Sequence, residues 1–333
     1  MNIIHSFKHS LVEDFISKVN ITKYFQNENS PIHLLFPQIM ENHIEDFKKI
    51  FEHNFDFNTK VYFAKKSNPS RIFTQTALKN NIGIDVASKN ELIDALNCGY
   101  LGNNIECTGP KCDEFLTLAI SNECLISCDS INELRRIIQI KTEKFQKDIS
   151  KNFDTQILLR ISNPRVSYGN IKLKYSRFGI LLEDLDEAYS ILKEHKDSLN
   201  LKLKGFHIHR SEVQTELKAE FIEQIIKTRE LGFSTEIANV GGAFGPLHHV
   251  EDISSYRNYI NFLSQKLKNN EDSLNWRNDF YDLSLISGQV KGLQILKQKV
   301  YEKSFNKEKY FSEMLNYNFN ENFKLFEIIE ELG

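Results

Sequence analysis

The feature that most constrains this chain is an alternation of short apolar runs with longer amphipathic stretches between residues 61 and 268. The runs have the length of strands and the stretches have the length and spacing of helices. The predicted strands are Val61–Ala64, Gly83–Val86, Leu125–Cys128, Ile157–Ile161, Leu203–His209 and Thr235–Val240. The predicted helices are Ser70–Asn80, Lys89–Asn97, Ser130–Ile140, Leu185–Leu192, Lys218–Leu231 and Ile253–Lys268.

This alternation predicts an α/β fold with a parallel sheet and helical crossovers. Eight repeats closed into a (β/α)8 barrel fit it better than an open sheet, but periodicity alone leaves both open. A chain of 333 residues has room for one barrel and a smaller piece.

Composition excludes several classes of function. The net charge of −3 and the absence of a basic stripe argue against nucleic acid. No apolar stretch approaches the ~20 residues of a membrane span, and residues 1–15 lack the apolar core of a signal peptide. The five cysteines are an odd number in a large chain, which argues against a disulfide framework and favours the reducing cytoplasm.

Active sites of α/β barrels lie at the carboxyl ends of the strands. At the end of the first predicted strand, alternation places Lys66 on one face and Lys65 on the other. One lysine should therefore point inward, and a lysine among apolar neighbours can form a Schiff base. The alternative is that both are surface lysines.

The next strand ends at Asp85 and runs into a helix. Ser88 and Glu91 have the spacing of a capping box, as do Ser130 and Glu133 further on. Capping explains these serines and glutamates, but it leaves Asp85 without a structural role.

Two later strands carry polar residues. Arg160 lies in an apolar strand and needs an anion, either an internal carboxylate or a bound phosphate. His207 and His209 share one face of their strand. No acidic residue lies at a convincing spacing for a third metal ligand, so the sequence does not favour a metal site. A histidine ring there either stacks on a planar cofactor or belongs to the core.

A glycine-rich loop, Gly241-Gly-Ala-Phe-Gly245, follows the last of these strands. Its exposed backbone N–H groups would allow close approach of a phosphate. It lacks the spacing of a dinucleotide-binding loop and of a P-loop.

In order and spacing, these motifs resemble the fold-type III pyridoxal phosphate-dependent decarboxylases, which act on ornithine, arginine, lysine or diaminopimelate. The resemblance runs from about Ser30 to about Phe311. The matching segments are Phe63-Ala-Lys-Lys66-Ser-Asn68, Asp85-Val-Ala-Ser-Lys-Asn-Glu91, Gly109-Pro-Lys111, Asp129-Ser-Ile-Asn-Glu-Leu134, Arg160, Ser176-Arg-Phe-Gly179, His209 and the glycine loop.

The resemblance implies a TIM-like barrel of the alanine-racemase type over residues 31–275. Residues 1–30 would form an N-terminal segment, and residues 276–333 a truncated C-terminal β domain with a final helix. It implies pyridoxal 5'-phosphate as cofactor and Lys66 and His209 as catalytic residues, with His209 stacked on the pyridine ring. The implied cofactor-binding residues are Lys66, Asp85, Arg160, His209, Ser211, Gly241, Gly242, Ala243 and Gln289.

The sequence departs from the family pattern in three places. Ile286-Ser-Gly-Gln289 stands where the family has Glu-Pro-Gly-Arg, so the charge partner of the ring nitrogen is missing. His209-Arg-Ser-Glu212 replaces His-x-Gly-Ser, so that either Ser211 serves the phosphate or Glu212 repels it. Only 44 of the 333 residues follow Gln289, so we expect a homodimer or heteromer that supplies the missing C-terminal residues.

The sequence thus favours a decarboxylase of a small amino acid of the ornithine, diaminopimelate or lysine type. The alternative is a catalytically degenerate homologue that acts as a partner subunit or pseudoenzyme. An amino-acid racemase is the least favoured reading. Neither nucleic acid nor a membrane is an expected partner.

Overall fold

The computed structural model describes residues 9–20, 32–54, 59–145, 154–162, 167–168, 171–172, 177–209, 224, 226–242, 248–250, 253–273, 280, 283–292 and 300–302. The chain divides into two compact units, which are taken in turn below. One comprises residues 37–243 and 314–333, and the other comprises residues 1–36 and 244–313.

The larger unit is built on a seven-stranded parallel sheet. Its strands are β1 (Tyr62–Ala64), β2 (Gly83–Val86), β3 (Ile105–Cys107), β4 (Leu125–Cys128), β5 (Thr155–Arg160), β8 (Leu201–His207) and β9 (Ile237–Asn239). A two-stranded hairpin, β6 (Ser167–Tyr168) and β7 (Ile171–Lys172), lies between β5 and β8 in the chain. The helices of this unit include α2 (Pro37–Asn54), α3 (Arg71–Lys79), α4 (Lys89–Asn97), α5 (Asp113–Ser121), α6 (Ile131–Ile140) and α7 (Leu185–His195).

The sheet order decides between a barrel and an open sheet. The strands lie in the order β1-β2-β3-β4-β5-β8-β9, and each pairs in parallel with its neighbour. A doubly wound sheet would reverse its strand order at a switch point, and this one does not. The sheet is curled and matches the TIM-like barrel, so the predicted fold class is confirmed.

The predicted elements agree closely with the observed ones. All six predicted strands are present, and β2, β4 and the helix Lys89–Asn97 have the predicted bounds. The predicted helix Lys218–Leu231 lies partly outside the described residues. Sequence reasoning missed β3, because it has three residues and Glu106 interrupts its apolar pattern.

The two serine caps form as predicted, but the glutamates reach further back. Ser88 and Ser130 accept hydrogen bonds from the backbone N–H groups of Glu91 and Glu133. Each glutamate carboxylate accepts not from the serine N–H but from the residue before it, Ala87 (2.7 Å) in one case and Asp129 (3.1 Å) in the other. Both contacts tie a strand end to the start of the next helix.

The buried apolar side chains lie in the strands and in the helices that follow them. They include Ala77, Ile84, Val86, Leu92, Leu116, Ile126, Ile137, Leu159, Leu192 and Phe206. Each fully buried aliphatic or aromatic side chain stabilises the fold by about 1.5–3 kcal/mol. Several strands also bury polar side chains, among them Glu106, Ser127, Arg160 and His207, and these belong to the site described below.

The smaller unit contains α1 (Ser10–Lys18) and α8 (Ile253–Lys268). Its described residues form the strands β10 (His248–Val250), β11 (Ser284–Ile286), β12 (Gln289–Lys291) and β13 (Val300–Glu302). Strands β10 and β13 pair in parallel, and β11 and β12 form an antiparallel hairpin. Ile260, Leu263 and Leu283 form a small core. Within the described part of the chain, no helix is long and apolar enough to cross a membrane.

Candidate active site

The candidate site lies at the carboxyl edge of the seven-stranded sheet. Because neighbouring strands are parallel, the residues that end them or follow them come together there. These residues include Lys66 after β1, Asp85 in β2, Thr108 after β3, Arg160 at the end of β5, His207 and His209 at the end of β8, and Asn239 and Gly241 at the end of β9.

The side chains of the two consecutive lysines, Lys65 and Lys66, point to different surroundings. β1 ends at Ala64, and residues Lys65–Ser67 form a single 3-10 turn. The Lys65 Nζ is buried and lies 2.6 Å from Asp94 Oδ2 and 2.9 Å from Thr74 Oγ1. The Lys66 Nζ lies 3.1 Å from Asp85 Oδ2, and its side chain is 44% exposed. The predicted divergence is therefore present.

The surroundings of Lys66 include a charged partner. The sequence left open an inward lysine among apolar neighbours or two surface lysines, and in the structure the Lys66 ammonium group pairs with a carboxylate. The physical reason is that the strand ends before Lys66, so the turn carries the side chain to the polar edge beside Asp85.

Asp85 occupies the centre of this edge. Its Oδ2 accepts from Lys66, and its Oδ1 accepts a short hydrogen bond from the Thr108 hydroxyl. In register it lies directly beside Glu106 of the neighbouring strand. The sequence left Asp85 without a structural role, and the structure shows that it binds Lys66 and Thr108.

Glu106 is a site residue that sequence reasoning missed. Its side chain is 2% exposed, and its two carboxylate oxygens lie 2.8 and 2.7 Å from the Asn239 Nδ2. Burial, followed by the negative charge of Asp85, raises the pKa of Glu106 to about 8. The available signal was a charged residue between two apolar ones, Ile105 and Cys107, just before a Gly-Pro turn.

The two histidines differ in surroundings. His207 is buried, and its Nδ1 lies 2.6 Å from the Ser127 hydroxyl. Burial lowers the pKa of His207 well below its usual value, and the positive charge of Arg160 lowers it further. The His209 ring is half-buried with its centroid 6.2 Å from that of His207. Among the described residues no three side chains form a cluster suited to metal.

Arg160 finds its anion within the protein. Its Nη1 lies 2.6 Å from Asp129 Oδ1, and both side chains are buried. Its guanidinium also lies 4.9 Å from the centroid of the Phe178 ring. Of the two anions that the sequence left open, the structure shows a carboxylate, and the part of Arg160 in cofactor binding stays a prediction.

The glycine loop begins in a conformation that only glycine readily adopts. Gly241 has φ +70°, and a Cβ there would lie 2.4 Å from the Ile208 carbonyl oxygen and 3.4 Å from His209 Nδ1. Its N–H donates to Asn239 Oδ1 at 2.8 Å. Gly242 has open space around it. The loop backbone therefore starts close against His209.

Three predicted cofactor-binding residues stay predictions. Ser211 and Ala243 lie outside the described residues. Gln289 belongs to the other unit, where it begins β12 and is exposed. The turn beside it, Ser287-Gly288, has positive φ at both residues, as expected of a tight hairpin.

Fold and site together define a class, an α/β barrel with a partly exposed lysine and the start of a glycine loop at the carboxyl edge of its sheet. A family model for the pyridoxal binding domain of pyridoxal-dependent decarboxylases matches residues 39–276. The chain belongs to this family, and pyridoxal phosphate is its cofactor.

The chain is also similar to individual proteins along most of its length. The chain is 28% identical to an uncharacterized protein, y4yA, of Sinorhizobium fredii over 67% of this chain and 46% of that protein. It is 25% identical to a biosynthetic arginine decarboxylase of Geobacter sp. over 72% of this chain and 40% of that protein. The chain thus spans less than half the length of these two relatives.

Solved structures show the same fold. A diaminopimelate decarboxylase from Helicobacter pylori has a TM-score of 0.55 at 19% identity, covering 72% of this chain and 61% of that one. The arginine decarboxylase of Paramecium bursaria Chlorella virus has a TM-score of 0.54 at 21% identity, covering 78% and 63%.

The residues at the sheet edge fit the cofactor. Lys66 presents a primary amine with part of its surface exposed, which condensation with an aldehyde requires. The backbone at Gly241 leaves no room for a Cβ, and Gly242 beside it is open, as a phosphate cradle requires.

Proposed function

We propose that this chain is a pyridoxal phosphate-dependent amino-acid decarboxylase that holds its cofactor through a Schiff base on Lys66. The observation that carries the proposal is the contrast between two adjacent lysines. Lys65 is buried and satisfied by Asp94 and Thr74, whereas Lys66 reaches the open strand edge beside Asp85.

Each residue at the edge has a defined task in this proposal. Asp85 neutralises the Lys66 ammonium and orients the amine from 3.1 Å. His209 offers a flat ring beside the glycine loop, and Gly241 and Gly242 offer backbone at close range. Arg160 carries positive charge on the last residue of β5, held in place by Asp129. Bound pyridoxal phosphate supplies an electron sink for the bond to the departing CO₂.

The remaining assignments rest on family resemblance. We propose Ser211, Ala243 and Gln289 as further contacts to the phosphate. The substrate proposed is a small amino acid of the ornithine, diaminopimelate or lysine type. The similar proteins include arginine and diaminopimelate decarboxylases, which supports a basic or diamino acid.

We propose the domain limits in the same way. Residues 31–275 form the cofactor domain, and residues 276–333 are the remnant of a C-terminal β domain. A second polypeptide, either another copy of the chain or a different one, completes the site.

The test is to add pyridoxal phosphate, record the visible spectrum, reduce with borohydride and map the modified lysine by mass spectrometry. We expect a visible absorption band and a single label on Lys66. Both should be lost in Lys66→Ala and in Lys66→Arg, which keeps a cation beside Asp85. Lys79→Ala removes an exposed lysine on α3 and should keep both.

A positive result justifies assays of CO₂ release from ornithine, lysine, arginine and diaminopimelate. Inversion of the substrate's configuration without CO₂ release would show a racemase instead. Label scattered over surface lysines would contradict the proposal and favour a partner subunit or pseudoenzyme.

A further inference from the structure

The carboxyl group of Glu106 has no part in the site as proposed so far, although Glu106 lies beside Asp85 on the neighbouring strand. β2 and β3 are adjacent and parallel, and Asp85 and Glu106 are paired in register. Side chains at paired positions lie about 5 Å apart on the same face of a sheet. Two carboxyl groups therefore stand side by side at the edge that presents Lys66.

The two carboxyl groups have unequal partners. Asp85 accepts from the Lys66 ammonium and from the Thr108 hydroxyl. Within the part of the chain that the structure describes, Glu106 accepts from one neutral donor, the Asn239 amide. A negative charge is more favourable beside a cation than beside an amide, and two like charges this close repel each other.

The other groups around Glu106 do not neutralise it directly. Titratable groups face it from each neighbouring element: Tyr62, Lys66, Asp85, Cys107, Lys111 and His207. The Lys111 ammonium is held by Glu133 and by the backbone oxygens of Gly109 and Ser127. The His207 Nδ1 is 3.7 Å from Glu106, and the depressed pKa of this ring keeps it neutral.

We propose that Asp85 and Glu106 hold one proton between them at neutral pH, with the proton on Glu106 and the negative charge on Asp85 beside Lys66. Glu106 is thus a positioning residue. It acts on Lys66 through the charge of the carboxyl pair, and on the glycine loop through Asn239, whose other amide atom accepts from the Gly241 N–H. The inference rests on the proposed function only for the chemistry that Lys66 performs.

Ionisation of Glu106 at alkaline pH adds a second negative charge near Lys66 and favours its protonated form. Acylating reagents attack only the neutral amine. The rate at which acetic anhydride labels Lys66, read by mass spectrometry between pH 6.5 and 9.5, therefore reports the charge of the pair. Exposed Lys79 serves as the internal reference.

The decisive comparison is Glu106→Gln against the unmodified chain. Gln keeps an oxygen that accepts from Asn239 but never ionises. We expect equal labelling of Lys66 near pH 6.5, rising to labelling about tenfold faster in Glu106→Gln near pH 9.5. Glu194→Gln, which removes a charge from the exposed end of α7, should match the unmodified chain throughout.

Two results would overturn the inference. A ratio well above one at every pH would mean that Glu106 is always ionised, and a ratio of one at every pH would mean that its charge does not reach Lys66. If Glu106→Gln does not fold, the unmodified chain decides. Its labelling rate should rise less than tenfold per pH unit around pH 8, and a full tenfold rise throughout would contradict the shared proton.

The labelling is done without pyridoxal phosphate. A chain that fails to bind the cofactor would therefore still show whether the two carboxyl groups share a proton, and the two proposals can fail separately.

Discussion

Two charged clusters flank the end of β1 and differ in what they leave open. In the first, the buried Lys65 pairs with Asp94, which also accepts from Arg71 at 2.6 Å. In the second, Lys66 meets Asp85, which lies beside Glu106. The first cluster joins the end of β1 to α3 and α4, while the second lies at the carboxyl edge where substrates of α/β barrels bind.

The difference shows that two adjacent lysines, Lys65 and Lys66, can have different electrostatic surroundings. In the first cluster every charge has an opposite partner within the protein, and the hydrogen bonds of Asp94 hold its pKa below the usual range. In the second, Asp85 pairs with the Lys66 ammonium while Glu106 accepts from the Asn239 amide, and burial raises the pKa of Glu106 to about 8. The first arrangement supports the fold, whereas a raised carboxyl pKa such as that of the second is more common at functional sites.

The largest effect that would test this contrast is the pH dependence of stability. The pKa of Glu106 rises from 4.5 in an ordinary glutamate to about 8 in the folded chain. Between those values the folded chain binds the proton that the unfolded chain releases, so stability must fall as pH rises through that window. The loss is of order 5 kcal/mol when complete.

Glu106→Gln should remove this loss. Urea denaturation should show the variant and the unmodified chain differing little near pH 5 and the variant more stable near pH 8. His207 contributes an opposite trend below pH 6.5, because its lowered pKa keeps the folded ring neutral while the unfolded ring gains a proton. That trend is common to both proteins and cancels in their difference. A constant difference at all pH values would refute the assignment.

Replacing each lysine in turn should show that the two clusters contribute differently to the stability of the fold. Lys65→Ala leaves Asp94 without its buried cation and should destabilise the chain by about 3 kcal/mol. Lys66→Ala removes a partly exposed group and should cost under about 1 kcal/mol. Urea denaturation at pH 7 measures both. Equal losses would mean that the two lysines are equally structural, and the contrast drawn here would be wrong.

The smallest effect expected is at the glycine loop. Gly241→Ala forces a left-handed conformation on alanine and drives its Cβ against the Ile208 carbonyl oxygen, at about 1–3 kcal/mol of strain. We expect pyridoxal phosphate to bind this variant at least several-fold more weakly in a spectroscopic titration. Gly242→Ala, where nothing lies near the added methyl group, is the matched control and should bind as before. If only Gly242→Ala bound pyridoxal phosphate more weakly, the proposed phosphate contact at Gly241 would be wrong.

The sequence by itself determined the elements and the fold class. Strand and helix bounds such as Gly83–Val86 and Lys89–Asn97 follow from local periodicity and from serine caps that need only neighbouring residues. The order of the motifs likewise identified the family that the match over residues 39–276 confirms. These features are local, or repeat along the chain, so they can be read without knowing which strands meet.

Only the tertiary structure decided which side chains contact each other at the candidate site. Glu106 meets Asn239 from 133 residues away, and no local pattern predicts that partner. Arg160 forms an ion pair with Asp129, 31 residues earlier in the chain, whereas the sequence was equally compatible with an internal carboxylate and with a bound phosphate. Lys66 lies beside a carboxylate and not among apolar groups, because β1 ends two residues before it. The charge on a buried group depends on desolvation and on charges a few ångströms away, and both are set by how the strands pack.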